Sequence, residues 1–429
     1  MMNMYSFYKK AVSVAVAATV IFGTAESTHA ASFSGNNDST LVTVSSTSTN
    51  AIPKDLAQKL QSRLDKTIKD KGIPGAAVGI TSPEGTWFGA SGVSNLATGT
   101  LLRPEDRFPI GSTTKPFTAA TVLLLAEEGK LSLEDTLDKW LPVSIVNNIT
   151  DGKNITVRQL LNGTSGIYDF LNRDEALIQA EILKNPTKQW SPEELVAYAY
   201  GKERQSWEYP STGIILAGMI VEKATGSTFA EVLRSRILDR LGMNNTFFAP
   251  QEQIPGGYVN GYLDYDNNGT LDDVTPINLS FGWTAGAIVS NTQDLTKFAQ
   301  ALFGGKLLSS DSLNQMLNFV DIGVGDSFKY GLGLTSREFE GIGRAWGHRG
   351  DAIGHGSQWW YFPELGVTYV NLQNSQPQSD DILSSMLKTL LAKEPKRVPE
   401  SSFSGGLIML GAAGLFFKRK RPLHNMKSS

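Results

Sequence analysis

Cysteine is absent from this sequence and histidine is scarce, and both facts narrow the chemistry available to it. Without a thiol there is no cysteine nucleophile, disulfide or thiolate-bound iron–sulfur cluster. The four histidines are His29, His348, His355 and His424, and two of them lie in the terminal segments, which excludes a three-histidine zinc site. Neither His-Glu-x-x-His nor Gly-x-Ser-x-Gly occurs. A serine nucleophile would therefore depend on lysine and tyrosine for proton transfer.

The sequence also has no large excess of positive or negative charge. The net charge is -3, the sequence pI is about 5.9, and the one basic run is Lys418-Arg-Lys-Arg421 near the C-terminus. This balance argues against a nucleic-acid partner. With 429 residues, 41% of them hydrophobic, the chain is long enough to bury a sizeable core in one large domain or two.

The first 52 residues show a targeting pattern followed by a polar stretch. Lys9-Lys10 precedes an apolar run over 11–22, and Thr28-His-Ala30 offers a small-residue cleavage site. This pattern predicts a secretory signal peptide over 1–31, too short for a membrane span, with an uncleaved anchor as the alternative. Residues 32–52 are rich in Ser and Thr and predict a flexible linker. We therefore expect a secreted protein, periplasmic or at the cell surface.

The C-terminal segment, 394–429, has three parts. Arg397-Val-Pro-Glu-Ser-Ser precedes an apolar run over 403–417, and the basic cluster follows it. The apolar run is shorter than the roughly 20 residues that a spanning helix needs. The pattern resembles the Pro-Glu-Pro C-terminal sorting signal, with Ser401 in place of the second proline. It predicts a sorting or anchor segment in contact with a membrane, with a plain tail anchor as the alternative.

Apolar periodicity predicts one folded domain over 53–393. The expected helices cover 54–70, the stretch after Ser112, 214–223, 229–241, 292–302 and 380–393, and the expected strands cover 76–81, 86–93, 346–350, 358–362 and 367–372. Strands near both ends with helices between them predict an α+β fold. We expect an antiparallel sheet built from both chain ends, flanked by helices, with a helical insert domain and a cleft beside it.

One stretch places a serine and a lysine on the same face of a helix. In Phe108-Pro-Ile-Gly-Ser-Thr-Thr-Lys-Pro-Phe-Thr118, Ser112 precedes Lys115 by three residues, so the lysine lies one helical turn below the hydroxyl. The apolar run that follows is hydrophobic all round, which is typical of a buried helix. Two other Ser-x-x-Lys matches occur, Ser6/Lys9 in the N-terminal targeting segment and Ser385/Lys388 in the amphipathic helix expected at the end of the domain. Ser112 is distinguished from them by its position after a glycine at a helix start and by the partner motifs further along the chain.

Three short motifs occur in order along the chain: Ser112-Thr-Thr-Lys115, Tyr209-Pro-Ser211 and His348-Arg-Gly350. This arrangement resembles the serine β-lactamase and penicillin-binding-protein superfamily, whose motifs are Ser-x-x-Lys, Tyr-x-Asn and Lys/His-x-Gly. The likeness covers about 53–393. Within the superfamily it is most similar to the soluble D-alanyl-D-alanine carboxypeptidases, the class C β-lactamases and related esterases.

The resemblance implies hydrolysis through an acyl-enzyme, with no metal and no organic cofactor. Ser112 would be the nucleophile, Lys115 the base kept neutral by burial, and Tyr209 the residue that relays the proton and later activates water. The backbone N–H groups of Ser112 and Asp351 would form the oxyanion hole. The substrate-binding residues implied are Ser211, His348, Arg349, Gly350 and Asp351, with Arg349 an anchor for a substrate carboxylate.

Ser211 departs from the family pattern, because the second motif ends there in serine rather than asparagine. Serine is shorter and offers one donor, where asparagine offers an acceptor and two donors for a substrate amide. A D-alanyl-D-alanine carboxypeptidase acting on cell-wall peptides is the leading prediction. A β-lactamase or small-ester esterase is the alternative enzyme, and a non-catalytic surface binding module the alternative outside enzymes. The substrate would be a small peptide, an ester or a β-lactam, and the oligomeric state stays open.

Two further features have no place in the motifs. Asp264-Tyr-Asp-Asn-Asn-Gly269 matches the first half of a calcium-binding loop, but Thr275 stands where the bidentate glutamate belongs. A polar surface turn is therefore the favoured interpretation of this loop. His355 is assigned no role, and either a structural role or one at the substrate rim is open to it.

Overall fold

The computed structural model describes residues 50–376 and 380–392. The predicted signal peptide, the linker before residue 50 and the C-terminal segment lie outside the described residues. The compact unit that contains the described domain ends at Leu391. Within the described part of the chain, no helix has both the length and the apolar character needed to cross a bilayer.

The described residues form strands β1 to β14 and helices α1 to α14, numbered in chain order. The strands are β1 (Gly75–Ser82), β2 (Gly85–Asn95), β3 (Thr100–Leu101), β4 (Phe108–Pro109), β5 (Phe247–Phe248), β6 (Tyr262–Leu263), β7 (Asp272–Asp273), β8 (Ile288–Ser290), β9 (Val320–Asp321), β10 (Phe328–Tyr330), β11 (Thr335–Phe339), β12 (Gly343–Ala352), β13 (His355–Phe362) and β14 (Val367–Gln373). The helices are α1 (Lys54–Lys71), α2 (Lys115–Glu127), α3 (Leu137–Trp140), α4 (Val143–Val146), α5 (Val157–Asn162), α6 (Phe170–Arg173), α7 (Glu175–Lys184), α8 (Pro192–Ala197), α9 (Ser211–Thr225), α10 (Phe229–Leu233), α11 (Trp283–Gly286), α12 (Thr292–Phe303), α13 (Ser310–Met316) and α14 (Asp381–Leu391).

The two ends of the domain share one sheet, as the sequence predicts. Among the described residues, nine strands pair in the order β3-β2-β1-β14-β13-β12-β11-β10-β9, and β1 lies antiparallel to β14 with Ala76 opposite Gln373. The short strands β9 to β11 were not predicted, because runs of two to five residues carry little periodicity. The helix predicted over 229–241 is α helical only in α10 and continues as a π-helical turn, Arg234–Leu238.

The two faces of the sheet are covered by different layers. Helices α1 and α14 pack on one face around Leu64 and Met386. The helices between β4 and β8, together with α12, cover the other face and form the larger core. Side chains alternate between the faces along each strand. Trp346 on β12 belongs to the larger core, so His348 and Gly350 lie on that same face.

The approach to the first motif is fixed by a small sheet. Strand β8 lies between β4 and β5, and Ile110 N donates to Ile288 O at 2.9 Å just before the motif begins. A 3₁₀ turn, Gly111–Thr114, then leads into α2, whose side chains from Lys115 to Leu125 are all buried. Pro116 lies in the first turn of α2, where its missing N–H leaves no helical hydrogen bond unmade.

Candidate active site

Ser112 and Lys115 are in direct contact. Ser112 lies half-buried in the 3₁₀ turn, and Lys115 is fully buried at the start of α2. Lys115 Nζ is 2.9 Å from Ser112 Oγ and donates to Ala285 O at 3.0 Å. The predicted pair of a hydroxyl and a base within hydrogen-bond reach is therefore present.

Burial gives Lys115 the ionisation that a base needs. Desolvation lowers the pKa of its ammonium from 10.5 to about 7, against the opposing charge of Asp169, which raises it. Near neutral pH, a substantial fraction of Lys115 therefore carries a free lone pair. In that form the amine can take the proton of Ser112 as the hydroxyl attacks a carbonyl carbon.

A strained backbone carries the carbonyl that holds Lys115. Trp283 has a backbone φ of 32°, a value that residues other than glycine rarely adopt. Trp283 is the first residue of α11, and its indole is buried. Thr118 Oγ1 donates to Thr284 O at 2.7 Å, so α2 fixes the same segment at a second point. The strained conformation costs about 1–3 kcal/mol. It occurs two residues before Ala285, whose carbonyl oxygen accepts the hydrogen bond from Lys115.

Two glycines let strand β12 approach the nucleophile turn. A Cβ on Gly350 would lie 2.1 Å from Ile110 O and 2.7 Å from Thr113 N. A Cβ on Gly111, whose φ is +50°, would lie 2.6 Å from the carbonyl carbon and oxygen of Asp351. The backbone of Asp351 therefore lies directly against the turn that carries Ser112. Glycine at position 350 allows β12 to come this close to the turn, because any side chain there would clash with its backbone.

Tyr209 completes the contact with the base. Lys115 Nζ lies 4.7 Å from the centre of the Tyr209 ring. Tyr209 is buried and packs edge-on against Tyr330, with ring centres 5.9 Å apart. The structure thus brings the first and second motifs together as the sequence predicts. Tyr330, from the unpredicted strand β10, is an addition that sequence reasoning missed.

His348 is held as a neutral imidazole. Its Nδ1 contacts Arg349 O, and since a carbonyl oxygen can only accept, Nδ1 carries the proton. Nε2 then accepts from Tyr330 Oη at 3.2 Å. Burial, with the charge of Lys115, lowers the pKa of His348 from 6.5 to about 3. The first residue of the third motif therefore carries no permanent positive charge at physiological pH.

Arg349 and Asp351 lie on the other face of β12 from His348. Arg349 stands opposite Gln358 in the register, and its Nε is 3.7 Å from Asp351 Oδ2. Strand β11 pairs with β12 only as far as Gly347, so from His348 onward no described strand covers the outer edge of β12. A molecule lying along that edge is within reach of side chains on both faces.

Ser211 begins α9 and is fully buried beside a carboxylate that sequence reasoning missed. Asp169 is 0% exposed, burial raises its pKa, and the charge of Lys115 and the Ser211 hydroxyl both lower it. The only sequence signal for Asp169 is its place two residues after Leu160-Leu-Asn-Gly-Thr-Ser-Gly-Ile167, a stretch that also resembles the family. Asp169 joins the predicted residues as a further ionisable group of the site.

The remaining candidates lie elsewhere. His355 is buried against the loop before β6, with Nε2 3.0 Å from Val259 O. In the 264–275 loop, Asp264 accepts the backbone N–H groups of Asn268 and Gly269 at 3.0 Å each, which agrees with a surface turn. No group of three or more acidic, histidine or cysteine side chains in the described residues is placed to hold a metal ion.

Comparison with known proteins agrees with this geometry. The Beta-lactamase family matches residues 56–392. Penicillin-binding protein 4* of Bacillus subtilis (strain 168) is 28% identical over 317 residues, covering 70% of this chain and 68% of that protein. Two solved structures are similar in fold and sequence. The D-stereospecific amidohydrolase from Streptomyces sp. superposes with a TM-score of 0.68 at 32% identity, covering 77% of this chain and 98% of its own.

The second structure is the D-amino acid amidase from Ochrobactrum anthropi SV3, solved with D-phenylalanine. Its TM-score is 0.68 at 27% identity, covering 79% of this chain and 99% of that one. Because the family match covers most of the described domain and the motifs meet in one site, the chain belongs to the Beta-lactamase family, whose penicillin-binding-protein relatives share its serine hydrolase fold.

Proposed function

We propose that the protein hydrolyses an amide bond next to a D-amino acid residue through an acyl-enzyme on Ser112. The observation that carries the proposal is the buried Lys115 amine, 2.9 Å from Ser112 Oγ with its pKa lowered to about 7. A surface binding module has no need of a desolvated base against a hydroxyl. D-Alanyl-D-alanine-terminated cell-wall peptides are the first candidate substrate, cleaved as by a carboxypeptidase.

The reaction uses residues already in contact. Lys115 takes the Ser112 proton as Oγ attacks the carbonyl carbon, and the backbone N–H groups of Ser112 and Asp351 stabilise the resulting oxyanion. Tyr209 passes the proton to the leaving amine, and later helps water to attack the acyl carbon. The uncovered edge of β12 from His348 to Ala352 can pair with an extended substrate backbone, as peptides do when they add to a sheet.

A second candidate substrate is a D-amino acid amide, which lacks the terminal carboxylate. The neutral His348 favours it, because the first position of the third motif then offers no cation for a carboxylate and leaves that role to Arg349. The two structural neighbours, a D-stereospecific amidohydrolase and a D-amino acid amidase, support the same direction. The same lack of charge makes β-lactamase activity the weaker alternative, with slow release of the acylated penicillin.

The test is steady-state hydrolysis of four substrates by the same preparation. They are a D-Ala-D-Ala peptide, a D-amino acid amide, its L enantiomer and a cephalosporin, with Ser112→Ala as the control. We expect kcat/KM for one of the two D substrates to exceed that for the L enantiomer and the cephalosporin by more than about tenfold, or about 1.4 kcal/mol. A cephalosporin that is hydrolysed fastest, or activity that survives in Ser112→Ala, would remove the proposal.

We also propose export of the protein to the periplasm or cell surface, with the segment after residue 393 contacting a membrane. The proposal rests on the sequence patterns at 1–31 and 394–429. Fractionation of producing cells tests it, with a variant that ends at residue 393 as the matched control. Full-length protein found in the cytoplasm would contradict export, and equal membrane association of the two forms would contradict the anchor.

A further inference from the structure

Tyr330 is a buried tyrosine that contacts the second and the third motif at once. Its side chain is fully buried, and its ring packs edge-on against that of Tyr209, with the ring centres 5.9 Å apart. The ring also meets the His348 imidazole edge-on at 6.0 Å, and the Tyr330 hydroxyl donates to His348 Nε2 at 3.2 Å. The rings of Tyr209 and His348 are neighbours too, with centres 6.3 Å apart. One side chain outside the three motifs therefore contacts two residues of the predicted site.

The chain around Tyr330 is fixed against the base. Strand β10 pairs with β11, which places Tyr330 opposite Thr335. In the turn between these strands, Gly333 N donates to Leu161 O at 2.9 Å. A Cβ on Gly333 would lie 2.8 Å from Lys115 O, so the turn packs directly on the backbone of the base. Tyr330 therefore has a defined place relative to Lys115.

Two contacts place the Tyr209 ring beside the base. Lys115 Nζ lies 4.7 Å from the ring centre, and Tyr330 meets the ring at an interplanar angle of 80°. Tyr330 also packs against Trp207, with ring centres 5.9 Å apart, and the Trp207 indole donates to Asn162 O at 2.9 Å. Edge-on aromatic contacts have a preferred geometry, so this set of rings restricts the movement of Tyr209. A group that transfers a proton must lie within hydrogen-bond reach of the reacting group, so a shift of the Tyr209 ring would cost activity.

The same tyrosine fixes His348. The imidazole is buried, its Nδ1 donates to Arg349 O, and its Nε2 accepts from the Tyr330 hydroxyl. A neutral imidazole has one donor and one acceptor, so both of its polar atoms are engaged within the protein. Loss of the Tyr330 hydroxyl would take this donor away from Nε2 and leave the ring contacts in place.

We propose that Tyr330 is a positioning residue that links the second motif to the third. Its ring holds Tyr209 beside the Lys115 amine, and its hydroxyl holds the His348 imidazole beside Tyr209. It acts through Tyr209 and not on the substrate. The inference deepens the proposed function and rests on the proton transfer assigned there to Tyr209.

The ring contact is tested by comparing two leaving groups. A leaving amine must receive a proton, which Tyr209 is proposed to supply, whereas the fluoride of a fluorophosphonate leaves as an anion and needs none. We expect Tyr330→Leu to lower kcat on the best amide of the panel about 100-fold, the cost of a displaced catalytic group, and to slow fluorophosphonate labelling of Ser112 by less than about tenfold. Tyr330→Phe, which keeps the ring, should recover most of kcat.

Two comparisons separate positioning from general packing. In a Tyr209→Phe background, Tyr330→Leu should lower kcat by less than about tenfold, because the hydroxyl whose placement matters is already gone. Tyr369→Leu is the matched control. Tyr369 is as fully buried as Tyr330 and lies in the same sheet, but its ring belongs to the core on the opposite face. We expect Tyr369→Leu to lower kcat and labelling by the same factor.

The hydroxyl contact is tested by NMR of protein labelled with ¹⁵N-histidine. The chain has four histidines, so the imidazole signals are few. In wild type we expect the proton of His348 on Nδ1 and an unprotonated Nε2. In Tyr330→Phe the Nε2 resonance should move toward the value of a nitrogen without a hydrogen bond, and the resonances of His355 should stay where they are.

Several results would overturn the role of Tyr330 while leaving the hydrolase proposal intact. They are equal losses of kcat and labelling in Tyr330→Leu, the same loss of kcat with and without the Tyr209 hydroxyl, and an Nε2 resonance that does not move in Tyr330→Phe. The NMR result decides the hydroxyl contact even where Tyr330→Leu does not fold. Wild-type protein that is labelled but cleaves no amide would overturn both proposals, because Tyr209 would then have no leaving amine to protonate.

Discussion

Three ionisable side chains of the site, Lys115, Asp169 and His348, are each driven by burial toward the uncharged form. For Lys115 this produces a base. For His348 it removes a cation that class C β-lactamases supply with lysine. Tyr209 packs over the Lys115 amine, and we propose it as the group that carries the proton between nucleophile and leaving group.

Tyr209→Phe tests that role. The substitution keeps the ring that packs 4.7 Å from Lys115 Nζ and removes only the hydroxyl. We expect turnover to fall by at least about 100-fold, the lower range for a general base. Steady-state kinetics on the best substrate from the panel measures it. Tyr198→Phe, which loses a hydroxyl that donates to Glu181 and not to a residue of the site, is the control. Near-normal turnover in Tyr209→Phe would show that Tyr209 has only a packing role.

At the scale of elements, the site depends on the contact between strand β12 and the 3₁₀ turn that carries Ser112. Gly350 and Gly111 make the contact possible, and Ser357 on β13 supports it, its hydroxyl donating to Ile110 O at 2.6 Å. Among the described residues, the outer edge of β12 has no partner strand from His348 onward, so the strand that lies against the nucleophile turn also has an edge open to a substrate.

Gly350→Ala should disrupt this contact. The added methyl would meet Ile110 O and Thr113 N, so the strand must move away from the turn. We expect a loss of about 1–3 kcal/mol in the free energy of unfolding and of about 100-fold in kcat/KM. Urea denaturation and steady-state kinetics measure the two effects. Gly286→Ala is the control, because its Cβ would have no neighbour nearer than 3.8 Å although it faces the same turn.

Arg349 tests how substrates use the edge of β12. Arg349→Ala should raise KM for a substrate with a carboxylate about tenfold, the worth of one charge-assisted contact, and should change KM for a neutral ester little. Asp351→Asn, which removes the carboxylate 3.7 Å from Arg349 Nε, should lower KM for the charged substrate. Equal changes for both substrates would mean that Arg349 acts on the strand and not on the substrate.

At the scale of the whole molecule, two buried neutral histidines link stability to pH. Burial lowers the pKa of His348 to about 3 and that of His355 to about 4, from 6.5. Below pH 6.5 the unfolded chain binds protons that the folded protein does not. The free energy of unfolding should therefore fall as the pH is lowered from about 6.5 toward 4, by about 1.4 kcal/mol per pH unit for each histidine.

Comparison of wild type with His355→Gln isolates one of these contributions. Glutamine can still donate to Val259 O but does not titrate. The slope of the unfolding free energy against pH should therefore decrease by the contribution of one proton, about 1.4 kcal/mol per pH unit. Urea denaturation at a series of pH values measures it. Equal slopes for the two proteins would show that His355 is protonated in the folded state or is not buried.

The sequence by itself determined those features that depend on near neighbours or on periodicity. Ser112 and Lys115 are three residues apart, so a single turn at a helix start brings them together. The hairpin of β1 and β2 and that of β13 and β14 follow from pairs of short apolar runs, each pair separated by a short turn. Strands near both ends of the domain, with helices between them, predicted that the two chain ends share one sheet. The pairing of β1 with β14 confirms that prediction.

Only the tertiary structure decided which distant groups act on the base. Ala285 is 170 residues from Lys115 along the chain, and Tyr330 and Asp169 lie in short or irregular segments whose sequence gives no periodic signal. A neutral His348 is what its ordinary pKa predicts near pH 7, but the further fall of that pKa to about 3 was not predictable, because desolvation is a sum over every element packed around a side chain. Contacts and burial of this kind arise when the whole chain folds, so local sequence determines the reacting residues and the assembled fold determines their charge.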